Sequence, residues 1–280
     1  MSPPLPPTVE PETVEEFRAR GVVVVRGAFS PWVEPLREAL ETNLEDPGPW
    51  ATENTGPGEP GRFFDDYCNW RRIPTYEAFI RESGAADLAA GLLGVDRIRL
   101  FHEHVFVKEH GTRHGTPWHQ DLPYYCVDGG SMVTIYVPLD PMGPETGVEF
   151  VAGSHRRGEM FRPAKFLTGE SYPGREDLAP PPSTELLSGS ATVVHELEPG
   201  DALMFDFRTL HGSPATVIEG RRRAFTTRWI GADVHYADRE AETSPPYPEL
   251  NELRTGDLLP EDLFPFIPLN HSRSGTGAGQ

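Results

Sequence analysis

Proline and glycine constrain the fold of this chain more than any other residues. There are 30 prolines and 28 glycines among 280 residues, and both residue types disfavour the interior of a regular helix. Such a residue therefore occurs at about one position in five, too often for the long helices of a bundle, a coiled coil or a helical solenoid. We expect short elements joined by turns.

Between these turns, the pattern of apolar residues changes along the chain. Helical periodicity predicts a helix over residues 31–45 and a second helical region over 76–93 that breaks near Gly84. From residue 97 onward, short alternating segments predict strands at 98–108, 132–139, 148–150, 192–197, 202–207 and 224–230. The chain is therefore predicted to be mainly β with N-terminal helices, an α+β protein whose strands form a jelly roll or barrel.

Length and pattern predict one domain over residues 1–280, because no spacing repeats along the chain. Two segments lack the alternation of the strands. Residues 155–190 form a polar, proline-rich insertion, and residues 237–280 form an irregular tail of the same character apart from residues 263–269. Long irregular segments in a compact β domain are typically lids or binding loops, so a lid over a site is expected here.

Charge and hydropathy argue against several classes of partner. The 25 basic and 43 acidic residues give a formal net charge of −18, which disfavours nucleic acid and anionic membrane surfaces. The sequence contains no run of about 18 apolar residues, so it predicts no membrane span. The N-terminus lacks the basic and apolar regions of a signal peptide, so we expect a cytoplasmic protein. The sequence makes no prediction of oligomeric state.

The pair His119 and Asp121 is the first candidate for chemistry. A spacing of two on an extended strand directs both side chains to one face, where they can share a metal ion. A simple hydrogen bond between the two side chains would have the same spacing. His211, placed where a predicted strand ends, is a candidate third ligand. Two histidines and one carboxylate suit an octahedral ferrous ion with open positions, whereas zinc prefers a tetrahedral site with one water.

A basic cluster at residues 221–223 stands out in this acidic chain. Strand alternation places Arg222 on the face opposite to Arg221 and Arg223. For Arg221 and Arg223 we expect a solvated strand edge. An inward-facing Arg222 would bind a carboxylate with its planar fork of donors.

The ordered motifs of this chain resemble the phytanoyl-CoA dioxygenase-like family of Fe(II)- and 2-oxoglutarate-dependent oxygenases. They are FVK at 106–108, TPWHQD at 116–121, VEFVAGSH at 148–155, EPGD at 198–201, HGS at 211–213 and RRA at 222–224. The resemblance implies a double-stranded β-helix core, of the jelly-roll, cupin-like type, over residues 20–231. It also implies a dioxygenase that consumes O2 and 2-oxoglutarate, releases succinate and CO2, and hydroxylates or otherwise oxidises a small-molecule or natural-product substrate.

The resemblance also implies a role for individual residues. The iron ligands of the family fall on His119, Asp121 and His211. The arginine that pairs with the distal carboxylate of 2-oxoglutarate falls on Arg222, and hydroxyls that assist the cosubstrate fall on Ser213 and Thr134. Related halogenases carry a small residue in place of the carboxylate ligand, so the presence of Asp121 favours hydroxylation over chlorination.

Four residues are candidates for the substrate pocket. Under the two-residue period, His102 and Lys108 share a strand face with His104 and Phe106. That face lies either in the barrel interior, where His102 and Lys108 could line the pocket, or against the helices. The aromatic residues Trp118 and Tyr125 lie close to the metal motif, and ordinary core packing is the competing interpretation for both.

Two other functions are also compatible with the metal motif. One is a metal-dependent hydrolase that uses zinc and an activated water at the same three residues, but it does not explain an inward arginine. The other is a non-catalytic barrel that binds a small ligand. That alternative predicts that a metal ligand or the arginine is missing from the sequence, and none is missing.

Overall fold

The computed structural model describes residues 9–183, 187 and 192–270. Residues 1–8, parts of the predicted insertion and the end of the predicted tail lie outside these residues. No helix of the described residues is long and apolar enough to cross a membrane. The helices are α1 (Pro11–Arg20), α2 (Val33–Glu45), α3 (Pro74–Glu82) and α4 (Ala85–Leu93), with short 3-10 helices at Ser30–Trp32, Leu122–Tyr124, Ser154–Arg156 and Pro248–Glu252.

The strands account for most of the remaining regular structure. In chain order they are β1 (Val22–Val25), β2 (Thr52–Glu53), β3 (Phe63–Tyr67), β4 (Ile98–Lys108), β5 (Thr116–His119), β6 (Val127–Asp128), β7 (Met132–Pro138), β8 (Glu149–Val151), β9 (Thr192–Val194), β10 (Ala202–Phe205), β11 (His211–Ser213), β12 (Arg222–Gly231), β13 (His235–Tyr236) and β14 (Phe266–Ile267).

Two antiparallel sheets form the body of the protein. The larger sheet has the order β1-β10-β7-β12-β4-β3-β2, with β14 beside β4, and the smaller sheet has the order β5-β11-β8-β9. Between the sheets, Phe150 of β8 contacts Phe205 of β10, with ring centroids 5.1 Å apart. Two antiparallel sheets packed face to face form a jelly roll, as the sequence predicts.

The N-terminal helices cover the outer face of the larger sheet. Because side chains alternate along a strand, Val133, Ile135 and Val137 of β7 all enter the apolar core shared with the helices. Phe225 of β12 packs against Phe79 of α3, with ring centroids 5.2 Å apart. This outer core leaves the inner face of the sheet to polar and aromatic side chains.

A β-bulge adjusts which side chains of β4 face inward. On β12, Arg228 lies opposite His102, but the next residue, Trp229, lies opposite Leu100. Phe101 is therefore an extra residue on β4. The bulge lets Leu100 and Trp229 pack in the outer core while His102 and Arg228 face the interior.

Ion pairs correct the prediction of a solvated edge at residues 221–223. Arg221 and Arg223 both pair with Glu41 of α2, and Arg223 also pairs with Asp140. These contacts lie on the helix side of the sheet, whereas Arg222 lines the space between the sheets. The alternation predicted for the three arginines is present, but α2 covers the outer pair.

Strands β2, β3 and β14 of the larger sheet were not predicted. In β3, both faces are buried, so the sequence shows no alternation to detect. In the tail, Phe266 and Ile267 of β14 pair with Arg99 and Ile98 of β4. These residues lie in the stretch 263–269, which is more apolar than the rest of the tail, but a two-residue strand is too short to show a period.

Glu103 of β4 is a buried carboxyl group that makes stability depend on pH. Its Oε1 accepts the backbone N–H of Asn69, whereas its Oε2 has no hydrogen-bond partner among the described residues. Burial raises the pKa of Glu103 from 4.5 to about 8, although backbone N–H donors oppose the shift. Since the folded protein keeps this proton to a higher pH than the unfolded chain does, stability falls as the pH rises between these two values.

We expect the substitution Glu103→Gln to remove this dependence. Between pH 4.5 and pH 8, the free energy of unfolding of the variant should rise by up to about 5 kcal/mol relative to that of the parent protein. Urea unfolding at a series of pH values measures this difference. A difference that stays constant across the range would contradict the prediction.

Candidate active site

A cavity of about 1300 Å³, including its open mouth, lies between the two sheets. The larger sheet contributes alternate residues of β4, from His102 to Lys108, together with the inward residues of β7 and β12. The smaller sheet contributes residues of β5 and β11. The face of β4 that carries His102 and Lys108 is therefore the interior face, which decides between the two placements that the sequence allowed.

Strand pairing brings His119 and His211 together. They are direct partners on the antiparallel strands β5 and β11, with ring centroids 4.2 Å apart. Asp121 follows β5 at the turn into the 3-10 helix Leu122–Tyr124. One ligand atom from each of the three residues lies within 4.8 Å of the others. The structure thus brings together the three predicted metal ligands, although His211 is distant from His119 and Asp121 in the sequence.

Hydrogen bonds orient the two imidazole rings. Nδ1 of His119 lies 2.8 Å from the carbonyl oxygen of Pro117, and Nδ1 of His211 lies 2.9 Å from that of Thr209. A neutral imidazole that donates from Nδ1 to a carbonyl keeps its lone pair on Nε2. Both Nε2 atoms face Oδ1 of Asp121, at 3.9 and 4.0 Å. Two nitrogen lone pairs and one carboxylate oxygen therefore converge, as a metal ion requires.

Burial keeps both histidines neutral. It lowers the pKa of His119 to about 3, with a further contribution from His211, and it also lowers the pKa of His211. Burial alone would raise the pKa of Asp121, but the Arg228 guanidinium and the hydrogen bond from Thr134 oppose it, and that pKa lies below its ordinary value. Neutral imidazoles and an ionised carboxylate are the protonation states that bind metal.

Two side chains of the larger sheet hold the other carboxylate oxygen of Asp121. The hydroxyl of Thr134 donates to Oδ2 at 2.8 Å, and Nε of Arg228 lies 3.5 Å from the same atom. Arg228 is itself fixed by Thr226 and by the face of Tyr125. With Oδ2 occupied in this way, Oδ1 is left for a metal ion.

A second part of the cavity carries two cations. Lys108 is buried, and burial followed by the charge of Arg222 lowers its pKa well below the ordinary lysine value. Among the described residues, no carboxylate lies within ion-pair distance of either Lys108 or Arg222. Nζ of Lys108 lies 3.4 Å from the hydroxyl of Ser213, and Arg222 lies 3.4 Å from the hydroxyl of Tyr136. Two cations and two hydroxyls without an anion form a site for a carboxylate.

The structure separates the four candidates for the substrate pocket. His102, Lys108 and Tyr125 line the cavity. Trp118 does not: it packs with Val151 and Leu210 in a separate apolar cluster. Because Trp118 precedes His119 on β5, its side chain points away from the metal ligands. The prediction that Trp118 contacts substrate is therefore corrected.

Several cavity residues were missed from the sequence. Arg228 lies six residues after Arg222 on β12, so the two-residue period places both on one face and would have identified it. His104 shares the face of His102 and Lys108 and lines the cavity. Its partner Asp65 lies on the unpredicted strand β3, with Oδ1 2.8 Å from Nε2 of His104. That pairing joins residues that are distant in the sequence, and no local sequence pattern indicates it.

Three segments of irregular structure reach the mouth of the cavity. Thr52 and Asn54 come from the segment around β2, Phe166 and Tyr172 from the predicted insertion, and Ser244 from the predicted tail. Both the insertion and the tail therefore contribute residues next to the candidate site.

Comparison with known proteins gives one match to a family. The family described as phytanoyl-CoA dioxygenase (PhyH) matches residues 17–224 of this chain. No curated protein sequence is significantly similar to this chain.

Several solved structures share the fold. The α-ketoglutarate-dependent non-haem carbocyclase SnoK from nogalamycin biosynthesis is 22% identical with a TM-score of 0.73, covering 96% of this chain and 100% of SnoK. The epimerase SnoN, in complex with Fe3+, α-ketoglutarate and nogalamycin RO, is 22% identical with a TM-score of 0.72, covering 92% and 98%. EctD from S. alaskensis, with 2-oxoglutarate and 5-hydroxyectoine, is 19% identical with a TM-score of 0.66, covering 86% and 82%. These likenesses confirm the jelly-roll fold.

Proposed function

Because this chain belongs to the phytanoyl-CoA dioxygenase family, we propose that it is a non-haem Fe(II)- and 2-oxoglutarate-dependent dioxygenase acting on a small-molecule substrate. The proposal includes a single catalytic domain with its core over residues 20–231. The observation that carries it is the presence, in one cavity, of a buried His-Asp-His cluster and of two cations that have no carboxylate partner in the part of the chain that the structure describes. A cytoplasmic location stays a prediction from the sequence.

In this proposal, the residues at one end of the cavity bind the metal and those at the other end bind the cosubstrate. His119, Asp121 and His211 hold the iron. Arg222, Ser213 and Lys108 hold the distal carboxylate of 2-oxoglutarate. When bound, iron and 2-oxoglutarate would supply an oxidation in which O2 is the oxidant: one oxygen atom enters succinate as 2-oxoglutarate loses CO2, and the other oxidises the substrate. The protein orients these groups and excludes water from them.

Aromatic side chains form the dry surroundings of the metal ligands. The His211 ring stacks on Phe150 and contacts Phe205, with centroids 5.6 and 4.7 Å away. The His119 ring packs against Phe166 at 5.2 Å. These contacts fix the ring planes and limit the access of water, which would otherwise compete for the open metal positions.

The two cations separate this proposal from the alternatives. Hydrolysis by a zinc-bound water needs no anchor for a dicarboxylate, so a zinc hydrolase leaves Lys108 and Arg222 without a role. A non-catalytic barrel does not require three converging metal ligands. The solved relatives SnoN and EctD, which bind α-ketoglutarate (2-oxoglutarate), support the same choice.

The proposal is tested by adding Fe(II) and 2-oxoglutarate to the protein without oxygen. We expect a weak visible charge-transfer band, because the cosubstrate chelates the metal, followed by succinate release when oxygen is admitted. Zinc in place of iron serves as the control and should give neither signal. Absence of the band at saturating iron and 2-oxoglutarate would overturn the proposal.

Thr134 provides a prediction that separates two roles. The sequence resemblance implies that its hydroxyl assists the cosubstrate, whereas in the structure this hydroxyl donates to Asp121. We therefore expect Thr134→Val to weaken iron binding by about 10-fold, the lower end for a residue that orients a metal ligand. Equilibrium dialysis with iron and the KM for 2-oxoglutarate measure the two effects. A raised KM with unchanged iron affinity would favour the role implied by the resemblance.

A further inference from the structure

Asp65 and His104 form a buried pair that the proposed iron and 2-oxoglutarate sites do not use. Asp65 lies on β3 and His104 on the neighbouring strand β4, and both line the cavity. Nε2 of His104 lies 2.8 Å from Oδ1 of Asp65, and the side-chain amide of Asn54 donates to Oδ2. The two side chains are only 10% and 13% exposed. The pair is thus rigidly held and nearly removed from solvent.

The hydrogen bond between them determines which atom of His104 faces the cavity as an acceptor. Because Nε2–H donates to the carboxylate, the neutral ring carries its lone pair on Nδ1. Nδ1 has no hydrogen-bond partner among the described residues. The cavity therefore contains an oriented acceptor nitrogen supported by a buried negative charge.

The charges around this pair select against anions. Among the described residues, Asp65 has no lysine or arginine within ion-pair distance. The cations that line the cavity are Lys108, Arg222 and Arg228. Arg228 is committed to Asp121 and Thr226, and in our proposal the other two hold 2-oxoglutarate. A carboxylate or phosphate on the substrate would find no free cation beside the pair and would be repelled by Asp65.

Aromatic rings flank the pair. Phe106 packs against the His104 ring at 4.1 Å, and Tyr67 lies 5.2 Å from it. Tyr67 in turn stacks on Trp50, with centroids 5.8 Å apart. Flat aromatic faces bind the C–H surface of a saturated ring or an ammonium group, and they give no affinity to an anion.

We propose that Asp65 and His104 anchor the substrate, and that the substrate is a ring compound that presents a hydroxyl or ammonium donor to them. This inference rests on the proposed function, since it assumes that the same cavity holds iron and 2-oxoglutarate. His104 accepts the donor at Nδ1, Asp65 supplies the negative charge behind it, and Phe106 and Tyr67 form the walls. A hydroxyl and an ammonium group can both donate to His104. The negative charge of Asp65 attracts the ammonium group more strongly, so removing that charge distinguishes the two.

The experiment measures binding of three ring compounds of similar size. The probes are trans-2-aminocyclohexanol, cyclohexane-1,2-diol and cyclohexanecarboxylate, and the method is saturation-transfer NMR. The protein is loaded with zinc, which has no redox chemistry, and with 2-oxoglutarate. We expect the amino alcohol and the diol to bind and the carboxylate not to bind. The visible band of the iron-loaded protein, recorded separately, reports on the proposed function alone.

Two variants test the roles of the two residues. His104→Phe keeps the aromatic packing but removes the acceptor, so affinity for both donor rings should fall by about tenfold. Asp65→Asn keeps the shape but removes the charge. A loss of about tenfold for the amino alcohol alone would identify an ammonium substrate, and equal losses for both rings would identify a hydroxyl substrate. His235→Phe, in β13 outside the cavity, is the matched control and should bind like the parent protein.

Three results would overturn the inference. They are binding of the carboxylate as tight as that of the amino alcohol, failure of both donor rings to bind at saturating concentrations, and unchanged affinities in His104→Phe. If His104→Phe does not fold, as judged by thermal unfolding, unchanged affinities in Asp65→Asn would overturn the inference instead. If the iron band is present while any of these results holds, the proposed function stands and only the substrate anchor fails.

Discussion

Replacing Asp121 by alanine is expected to reduce succinate release by more than about 100-fold, the upper end of the loss seen when a residue merely supports a metal ligand. The reason lies in the geometry of the carboxylate. Oδ1 is the atom that Nε2 of His119 and of His211 both face, at 3.9 and 4.0 Å. Without it the metal keeps two nitrogen ligands and loses the negative charge that offsets its own. Succinate formation and iron retention against a chelator measure the effect.

Alanine at this position also leaves the buried guanidinium of Arg228 without its carboxylate, so the protein is expected to lose stability as well. Asp121→Asn keeps the shape of the side chain and separates the two effects. Asp96→Ala, an exposed residue in the loop before β4, is the matched control for the substitution itself. Succinate release by a folded Asp121→Asn or Asp121→Ala protein at the rate of the parent would show that Asp121 is not a ligand.

Replacing Arg222 by methionine is expected to raise the 2-oxoglutarate requirement by about 100-fold, because truncating one member of a buried charge pair costs about 2 to 5 kcal/mol. Methionine fills the space of the aliphatic stem without the charge. The effect should appear in the KM for 2-oxoglutarate, with a smaller change in kcat at saturation. Lys108→Met should act in the same direction. Because the two cations are close enough to affect one another, the double variant should lose less than the sum of the two single losses.

The neighbouring arginine offers a control on the same strand. Arg221 pairs with Glu41 on the helix side of the sheet, so Arg221→Met should leave the KM for 2-oxoglutarate unchanged. A similar KM for Arg222→Met and the parent protein would remove Arg222 from the cosubstrate site. The difference in the KM for 2-oxoglutarate between Arg221→Met and Arg222→Met therefore reports whether the arginine side chain faces the helices or the cavity.

Alternation along strands made part of the site predictable from the sequence. The two-residue period placed His102 and Lys108 on one face and Arg222 opposite its neighbours, and the structure agrees on both points. The same rule applied to Trp118 would have excluded it, because it lies one residue before His119. Proximity in sequence was the wrong guide there, since adjacent residues of a strand face opposite sides.

Long-range pairing made the rest unpredictable. The sequence alone does not indicate that β3 lies beside β4, because Phe63, Phe64, Asp65 and Asp66 are all buried and show no polar face. Without that pairing, Asp65 cannot be connected to His104. The bulge at Phe101 is equally hidden, although it determines which residues of β4 line the cavity.

The mouth of the cavity has a consequence for how such an enzyme can diversify. The candidate metal ligands and the cations sit on paired strands or directly beside them, where a length change would shift the register of a whole sheet. Residues 52, 54, 166, 172 and 244, in contrast, reach the cavity from short or irregular segments whose length and sequence are free to vary. Exchange of these segments between homologues would thus change which molecules enter the cavity and leave the metal ligands and the cations in place. These segments are therefore the first choice for directed evolution of a new specificity.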